Sequence, residues 1–534
     1  ASCMPSPTMV PSACILLAAG LAASVGGALQ SPGPGDAALR FYVYPGRDLD
    51  MSWLAECPGF SNLKNSAEGE GMQEANLYEA LREHPLRTYK ASKAKLFYLP
   101  IWEYTSFRLG ECNGTDHTRR MLALNKSIRR SFYFIRSSGR DHFWASSMAT
   151  EVTNNPIQRS SRVYKYIDKR KAVPGHKLVT ASLMQRIWPN GPFLFNTTVG
   201  RHKQFQPFLM TSRSQMVVGR CTIDMGHQPN QVALSAYAPA ARLTKENNTA
   251  LPARPIFLSF AGGLDVCCTG RHIRCQVGQL LLDDSPVISI DIGVRGDALR
   301  HLGDAAKTVP CTIKALQALA DKRKKPLSAM VAELVAKGGQ DDVHSNKYQQ
   351  MGLTMAKSVF CLCPAGDLCA ASRTMSAIAA GCIPVILCDL LTGPYSVRMG
   401  PRLRRVPYED FWISFPVAKF LRRPASLLEM LRCITPEEIL RRQVLMALHR
   451  PSVLLQLPGW QAATRFLEAV ADCVELVMHS TVLPKEYLVP ERTVGPGASR
   501  AHTLVLAAAS PRRGPALAHN TSARRRAKVA GAPI

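Results

Sequence analysis

Short apolar runs, each four or five residues long, recur along the chain between longer stretches of helical or loop character. They include Phe41-Tyr42-Val43-Tyr44, Leu96-Phe97-Tyr98-Leu99, Ile256-Phe257-Leu258-Ser259-Phe260 and Val287-Ile288-Ser289-Ile290, and Val359-Phe360-Cys361-Leu362 and Pro384-Val385-Ile386-Leu387 continue the series. Runs that are apolar at nearly every position predict strands covered on both faces. Their alternation with helical patterns predicts parallel pairing through crossover helices. The expected fold class is α/β.

Between Tyr237 and Pro255 the composition turns to Ala, Pro, Asn, Thr and charge, which marks a linker between two α/β halves. The second half ends in amphipathic patterns. Leu427, Leu428, Met430, Leu431 and Ile434 share one helical face, and Leu440, Val444, Leu445 and Leu448 share another. The predicted organisation is an anchor and short stem over 1–35, a first α/β half over 36–250, a second over 251–490, and a disordered basic tail over 491–534.

A length of 534 residues favours at least two domains, and 46% hydrophobic with 20% charged residues is a globular composition. The 66 Lys+Arg against 39 Asp+Glu leave a formal charge of +27. The tail holds eight basic residues and one acid, a net of +7, so the remaining +20 belongs to residues 1–490. Anionic partners are therefore expected. Nucleic acid is not among them, because no helix-turn-helix, zinc-finger or basic–aromatic stripe is present. Nicotinamide chemistry is disfavoured because no Gly-x-Gly-x-x-Gly turn follows a strand.

Val10 to Gln30 is apolar and uncharged and precedes the breaker run Ser31-Pro32-Gly33-Pro34-Gly35. A spanning helix needs roughly 20 apolar residues, so this stretch fits a membrane anchor or the apolar part of a signal peptide. Five Asn-x-Ser/Thr triplets, at Asn113, Asn125, Asn196, Asn247 and Asn520, agree with a secretory route. Some of the sixteen cysteines would then pair. Cys267, Cys268 and Cys275 fall close enough to close a small loop, without the second Cys or His pair that zinc requires.

The most informative stretch is Lys357 to Leu387, KSVFCLCPAGDLCAASRTMSAIAAGCIPVIL. A buried strand runs into a loop with Pro364 and Gly366, Ser372 suits a helix N-cap, the helix stops at Gly381, and a second strand follows. Strand, glycine loop and helix start form a place where backbone N–H groups and the helix dipole meet an anion. Arg373 in the first turn opposes the dipole and has a reason to be there if a phosphate binds. The competing view is a structural strand–helix–strand unit with a solvated arginine.

This stretch resembles the signature of exostosin-type glycosyltransferases. Phe41-Tyr42-Val43-Tyr44-Pro45, Leu96-Phe97-Tyr98-Leu99-Pro100, Gly139-Arg140-Asp141-His142-Phe143-Trp144 and Phe257-Leu258-Ser259-Phe260-Ala261-Gly262 match in the same order, so the resemblance spans about residues 40–480. It implies a GT-B architecture, two Rossmann-like domains facing a cleft. It implies transfer of a sugar from a nucleotide-sugar donor, as substrate and not cofactor, to a glycan or glycoprotein acceptor. It further implies a Golgi membrane protein, single-pass type II with a lumenal body. Secretion or the ER lumen, and hetero- or homo-oligomers, stay open. One departure matters: where the family's helix has a Glu expected to hold the ribose, this chain has Ser376.

Inverting transfer needs a base for the acceptor hydroxyl and cationic help for the departing diphosphate. Asp141 and His142 are candidates for the base, and so is Glu103, which follows the strand end at Pro100-Ile101-Trp102. The structural alternatives are a helix N-cap for Asp141 and a core position for His142, both in a loop. Arg271, Arg274 and Arg373 suit the diphosphate, and Gly366, Ser372 and Ser376 complete the donor set. Asp48-Leu49-Asp50 has Asp-x-Asp spacing but belongs to the first half, and Asp283-Asp284 and Asp341-Asp342 read as solvated turns. Metal-independent transfer is therefore expected. A non-catalytic sugar-binding or partner subunit is the alternative, favoured by Ser376.

Overall fold

A computed structural model describes residues 37–65, 73–137, 139–146, 254–264, 271–282, 287–291, 310–338, 344–366, 372–389, 391, 393–396 and 400–479, plus strand segments 179–182, 192–195, 206–209 and 222–224. The anchor stretch, the linker up to 253 and the basic tail lie outside the described residues. So do Asn196, Asn247, Asn520, Cys267, Cys268, Asp283-Asp284 and Asp341-Asp342.

The first sheet begins with β1 (Phe41–Val43), β2 (Leu96–Tyr98), β3 (His142–Ser146) and β4 (Val179–Ser182), paired in that order and all parallel. β5 (Pro192–Phe195) and β6 (Gln206–Leu209) form a separate antiparallel pair, and β7 (Thr222–Asp224) joins the first sheet beside β4. The second sheet takes β8 (Ile256–Ala261), β9 (Ile288–Asp291), β10 (Ser358–Pro364), β11 (Ile383–Leu387) and β12 (Ile413–Ser414). Its spatial order is β12-β11-β10-β8-β9, again all parallel. All six apolar runs read from the sequence are strands, and the chain is α/β with parallel sheets.

β11 is buried at every position, with Pro384 as its second residue. Proline cannot donate to a ladder and is normally excluded from inner strands. Here it costs no bond. Ile386 offers its carbonyl to Phe415 N–H on the β12 side. Pro384, two residues earlier, faces the same way, where β12 pairs only from Val385 onward.

The first sheet is covered on both faces. Tyr44, Phe97, Leu99 and Trp144 pack with Met121, Leu124 and Phe134 from the neighbouring helices. Phe41, Val43, Leu96, Tyr98, Phe143 and Ala145 belong to a core that is continuous with that of the second sheet. The helix Gln461–His479 makes this continuity by packing on the first sheet, with Phe466 fully buried and its ring 5.7 Å from that of Phe143. The helix Ala425–Arg432 buries Leu427, Leu428 and Leu431 as its pattern predicts. In the helix Pro436–His449 the face is rotated from the expected one: Gln443 and Met446 are buried, while Leu440, Val444, Leu445 and Leu448 are half-buried.

Disulfides join Cys57 to Cys112, Cys275 to Cys311 and Cys361 to Cys382. Cys388 and Cys473 are also disulfide-bonded. The expected small loop through Cys275 is thus corrected: its partner is 36 residues further along, where the helix Pro310–Arg323 begins.

His84 ties the first sheet's surroundings to the helix Gln461–His479. Its Nδ1 accepts from Leu86 N–H at 3.2 Å, which leaves the proton on Nε2 to be donated to Thr464 Oγ1 at 3.0 Å. Burial pushes its pKa down to about 4. The unfolded chain takes up this proton near 6.5 and the folded chain refuses it until about 4, so stability is full above pH 6.5 and falls as pH drops through that window. About 2–3 kcal/mol is expected to be lost. Urea unfolding at pH 7.5 and 4.5 checks this, with a shallower acid loss expected in His84→Gln than in the parent chain.

Candidate functional site

In the second sheet the chain leaves β8 for β9 on one side and returns to β10 on the other. The strand order therefore reverses between β8 and β10, and the carboxyl ends of such strands form the binding crevice of open parallel sheets. β8 ends at Ala261 and Gly262-Gly263 follow it, Ala365 and Gly366 follow β10, and the helix Ser372–Ala380 comes next. Gly366 is buried in the bend, and Ser372 is the first residue of the helix and half-buried.

Two arginines tie these loops together. Arg274, buried in the helix Arg271–Val277, donates Nε to Ala365 O at 2.9 Å and Nη1 to Gly263 O at 3.2 Å, bridging the crevice from one loop to the other. Arg373 donates Nε and Nη2 to Ala261 O, with its guanidinium 4.8 Å from the centre of the Phe260 ring. Gly262 leaves the room this requires: a Cβ there would lie 2.3 Å from Arg373 Nη2. Arg373 is therefore half-buried and engaged, not a freely solvated arginine. It and Arg274 bring two cations to the two loops that frame the crevice. The side chain of Arg271 lies outside the described residues.

The far end of the Ser372–Ala380 helix is held by two further arginines. Arg254 Nη2 donates to Ala380 O at 3.0 Å and Arg450 Nη1 to Ala379 O at 3.2 Å, while Arg254 Nη1 also reaches Ser358 O at 2.8 Å. Cations at a helix C-terminus complement its dipole and its open carbonyls. Burial, reinforced by the Arg450 charge, lowers the Arg254 pKa to about 10. Sequence reasoning missed both residues, since nothing local distinguishes them from surface arginines. Ser376 is buried, as is every residue of this helix from Thr374 to Ala380.

In the first sheet the structure brings Asp141 and His142 together. Asp141 lies in the turn before β3, as expected of a loop residue and not at a helix start, while His142 is the first residue of the strand itself. Asp141 Oδ1 meets His142 Nδ1 at 2.7 Å, and Arg136 stands 3.6 Å from Asp141 Oδ2. His142 Nε2 is 2.8 Å from the Tyr44 hydroxyl, which is 2.6 Å from Ser131 Oγ. The imidazole is completely buried, stacked on Phe97 at 4.9 Å and edge-on to Phe134 at 5.1 Å. Burial holds His142 below its ordinary pKa and pushes the Tyr44 hydroxyl up. The hydrogen bond and charge of His142 outweigh burial and hold Asp141 below the usual carboxylate range. Tyr44 and Ser131 are members that sequence spacing could not reveal, 98 and 11 residues from His142 (142 − 44 and 142 − 131).

Glu103 stands apart from this pair. It opens the helix Glu103–Leu109 just beyond the carboxyl end of β2 and is buried. The start of that helix is capped by another buried acid: Glu74 Oε1 accepts from Tyr104 N–H at 2.8 Å and Oε2 from Thr105 N–H at 3.2 Å. The Asp48 and Asp50 pair is engaged locally, Asp48 with the Ser127 hydroxyl and Asp50 with Ser52 N–H. Among the described residues no group of three His, Cys, Asp or Glu is gathered for a metal, and no helix is long and apolar enough to cross a membrane.

The Exostosin GT47 domain matches residues 36–400. The chain belongs to the exostosin family of glycosyltransferases. The matched span runs from just before β1 through β11 and so contains both the Asp141–His142 pair and the arginine-tied crevice.

Proposed function

We propose that this exostosin-family protein moves a sugar from a nucleotide-sugar donor to a glycan or glycoprotein acceptor, with inversion and without a metal cofactor. One observation carries the proposal: the crevice between β8 and β10, where Arg274 and Arg373 fasten two glycine loops beside a helix N-terminus. A diphosphate there gains two cations and the helix dipole as charge builds on the leaving group. Gly366 permits close approach, and Ser372, Ser376 and Arg271 complete the donor side.

Glu103 is assigned the base, because it stands at the carboxyl edge of the first sheet, where such sheets take ligands. Asp141 and His142, bonded to each other with Tyr44 on the far imidazole nitrogen, are assigned a positioning role. A lumenal Golgi location, type II behind the Val10–Gln30 stretch, is supported by that stretch and by the disulfides, which persist in oxidising compartments.

Ser376 favours a second role. A hydroxyl replaces the carboxylate expected to hold the ribose, and each charge-assisted bond lost removes roughly 1.5–3 kcal/mol. Donor binding without turnover would mark a non-catalytic partner subunit.

A thermal-shift screen of the full chain against nucleotide sugars and nucleoside diphosphates tests both roles. Ligand at a hundred times its Kd adds about 2.7 kcal/mol of stability. One nucleotide class is expected to shift the transition, with affinity lowered about ten- to a hundred-fold in Arg373→Ala. No shift with any nucleotide would defeat the donor-site assignment. A shift without transfer in acceptor assays would select the partner-subunit role.

A further inference from the structure

Two of the five Asn-x-Ser/Thr triplets lie among the described residues, and the fold treats them differently. Asn113-Gly114-Thr115 follows Cys112, which is buried and bridged to Cys57. Cys112 N–H donates to Thr115 O at 2.9 Å and Thr115 N–H to Cys112 O at 3.1 Å, so Asn113 and Gly114 form a two-residue hairpin turn. Both have positive φ, +50° and +70°, the mark of a type I′ turn, for which Asn-Gly is a preferred pair. The base of the turn is held from inside. Buried Arg120 donates Nη1 to Thr115 O at 2.6 Å and Nη2 to Gly110 O at 2.5 Å. The tip is exposed, and beyond its chain neighbours a Cβ on Gly114 would meet no atom within 4 Å. Among the described residues nothing hydrogen-bonds the Asn113 side-chain amide, so a substituent there breaks no contact.

Asn125-Lys126-Ser127 sits instead inside the helix His117–Ile128. Asn125 is half-buried, its Oδ1 accepts from Arg129 Nε at 3.0 Å, and the Ser127 hydroxyl donates to Asp48 Oδ2 at 2.6 Å. Met121 and Ile128, one turn to either side of Asn125, are fully buried, so Asn125 borders the packed face of its helix. An N-linked oligosaccharide is bulky and hydrated and needs a side chain with open water around it. We propose that Asn113 carries an N-linked oligosaccharide and that Asn125 is left bare. In the modification, Asn113 Nδ2 bonds to the anomeric carbon of an oligosaccharide carried on a lipid diphosphate. The anomeric C–O bond breaks, the lipid diphosphate leaves with the electron pair, and one Nδ2 proton passes to a base of the transferring enzyme. The proposal rests on the lumenal reading of the body, because such donors serve the secretory route.

The test expresses the full chain through the secretory route of a mammalian cell and treats it with peptide-N-glycosidase in heavy-oxygen water. Wherever a glycan stood, this leaves an aspartate marked with heavy oxygen. An aliquot carried through without the glycosidase corrects for spontaneous deamidation, to which an exposed Asn-Gly pair is prone. Peptide mass spectrometry should find the mark at Asn113 and not at Asn125. Asn113→Gly supplies a residue suited to positive φ, so it should fold and migrate one glycan smaller. Thr115→Ala should lose the same glycan, and Thr115→Ser should keep it. A mark on Asn125, or none on Asn113 while any of Asn196, Asn247 and Asn520 is marked, overturns the proposal. If none of the five is marked, alkylation of cysteines separates the causes. Cys57 and Cys112 protected by their disulfide would show that the chain reached the lumen and Asn113 was refused. Both open to alkylation would show that the lumenal reading itself has failed, and the modification site falls with it.

Discussion

Phe466→Ala is expected to lower the unfolding free energy by about 3–5 kcal/mol, the range for removing a large aromatic from a packed core. Phe466 is 0% exposed and meets Phe143 of β3, more than 300 residues away in sequence (466 − 143 = 323). Its cavity would open where the helix Gln461–His479 seals the first sheet, and rigid neighbours on both sides limit collapse. His84, hydrogen-bonded to Thr464 on the same helix, should lose its protected environment along with it. Urea denaturation measures the free energy, and the acid sensitivity assigned to His84 should shrink in the variant. A loss under about 1 kcal/mol would mean that the helix does not carry this contact in solution.

A loss of about 1–3 kcal/mol is expected for Asp472→Ala, because it leaves the buried Leu403 N–H without its acceptor, while the partly exposed Arg402 keeps its ion pair with Glu475. Asp472 is 1% exposed on the same helix. Its carboxylate accepts from Arg402 Nη1 at 3.1 Å and from Leu403 N–H at 2.9 Å, and so fixes the segment that follows Gly400. Gly400 is part of the same fit: a Cβ there would lie 2.4 Å from Asp472 Cγ. Gly400→Ala should therefore destabilise the parent chain and do much less in the Asp472→Ala background. A double-mutant cycle by urea unfolding reads this coupling, and strict additivity would show that the two positions do not meet.

The arginines show how one residue type divides between what is local and what is not. Arg373 could be singled out in the sequence because it opposes the dipole of a helix start, a conflict visible within a few residues. That it would fasten Ala261 across a separate strand could not be read there, and neither could the pairing of Arg254 and Arg450 at the other helix end. Guanidinium targets are carbonyls supplied by distant segments, 112 residues away for Arg373 and 126 for Arg254, and only the packed chain brings them into reach.

The strands divide in the same way. β1, β2, β8, β9, β10 and β11 were legible because a strand buried on both faces must be apolar at nearly every position. β3 was not, since its first residue is His142 and a polar turn precedes it, and β12 has only two residues. His142 is tolerated in a central strand because Asp141, Tyr44 and the Phe97 ring enclose it, and these arrive from three different segments. By itself the sequence determined the α/β class, the parallel runs, the crevice segment and the exostosin resemblance, all of which follow from short-range spacing. Tertiary structure alone decided which strands are neighbours, which face of the Pro436–His449 helix is buried, and that the Gln461–His479 helix closes the first sheet. Those outcomes depend on burying apolar area between distant segments, an energy that no local pattern contains.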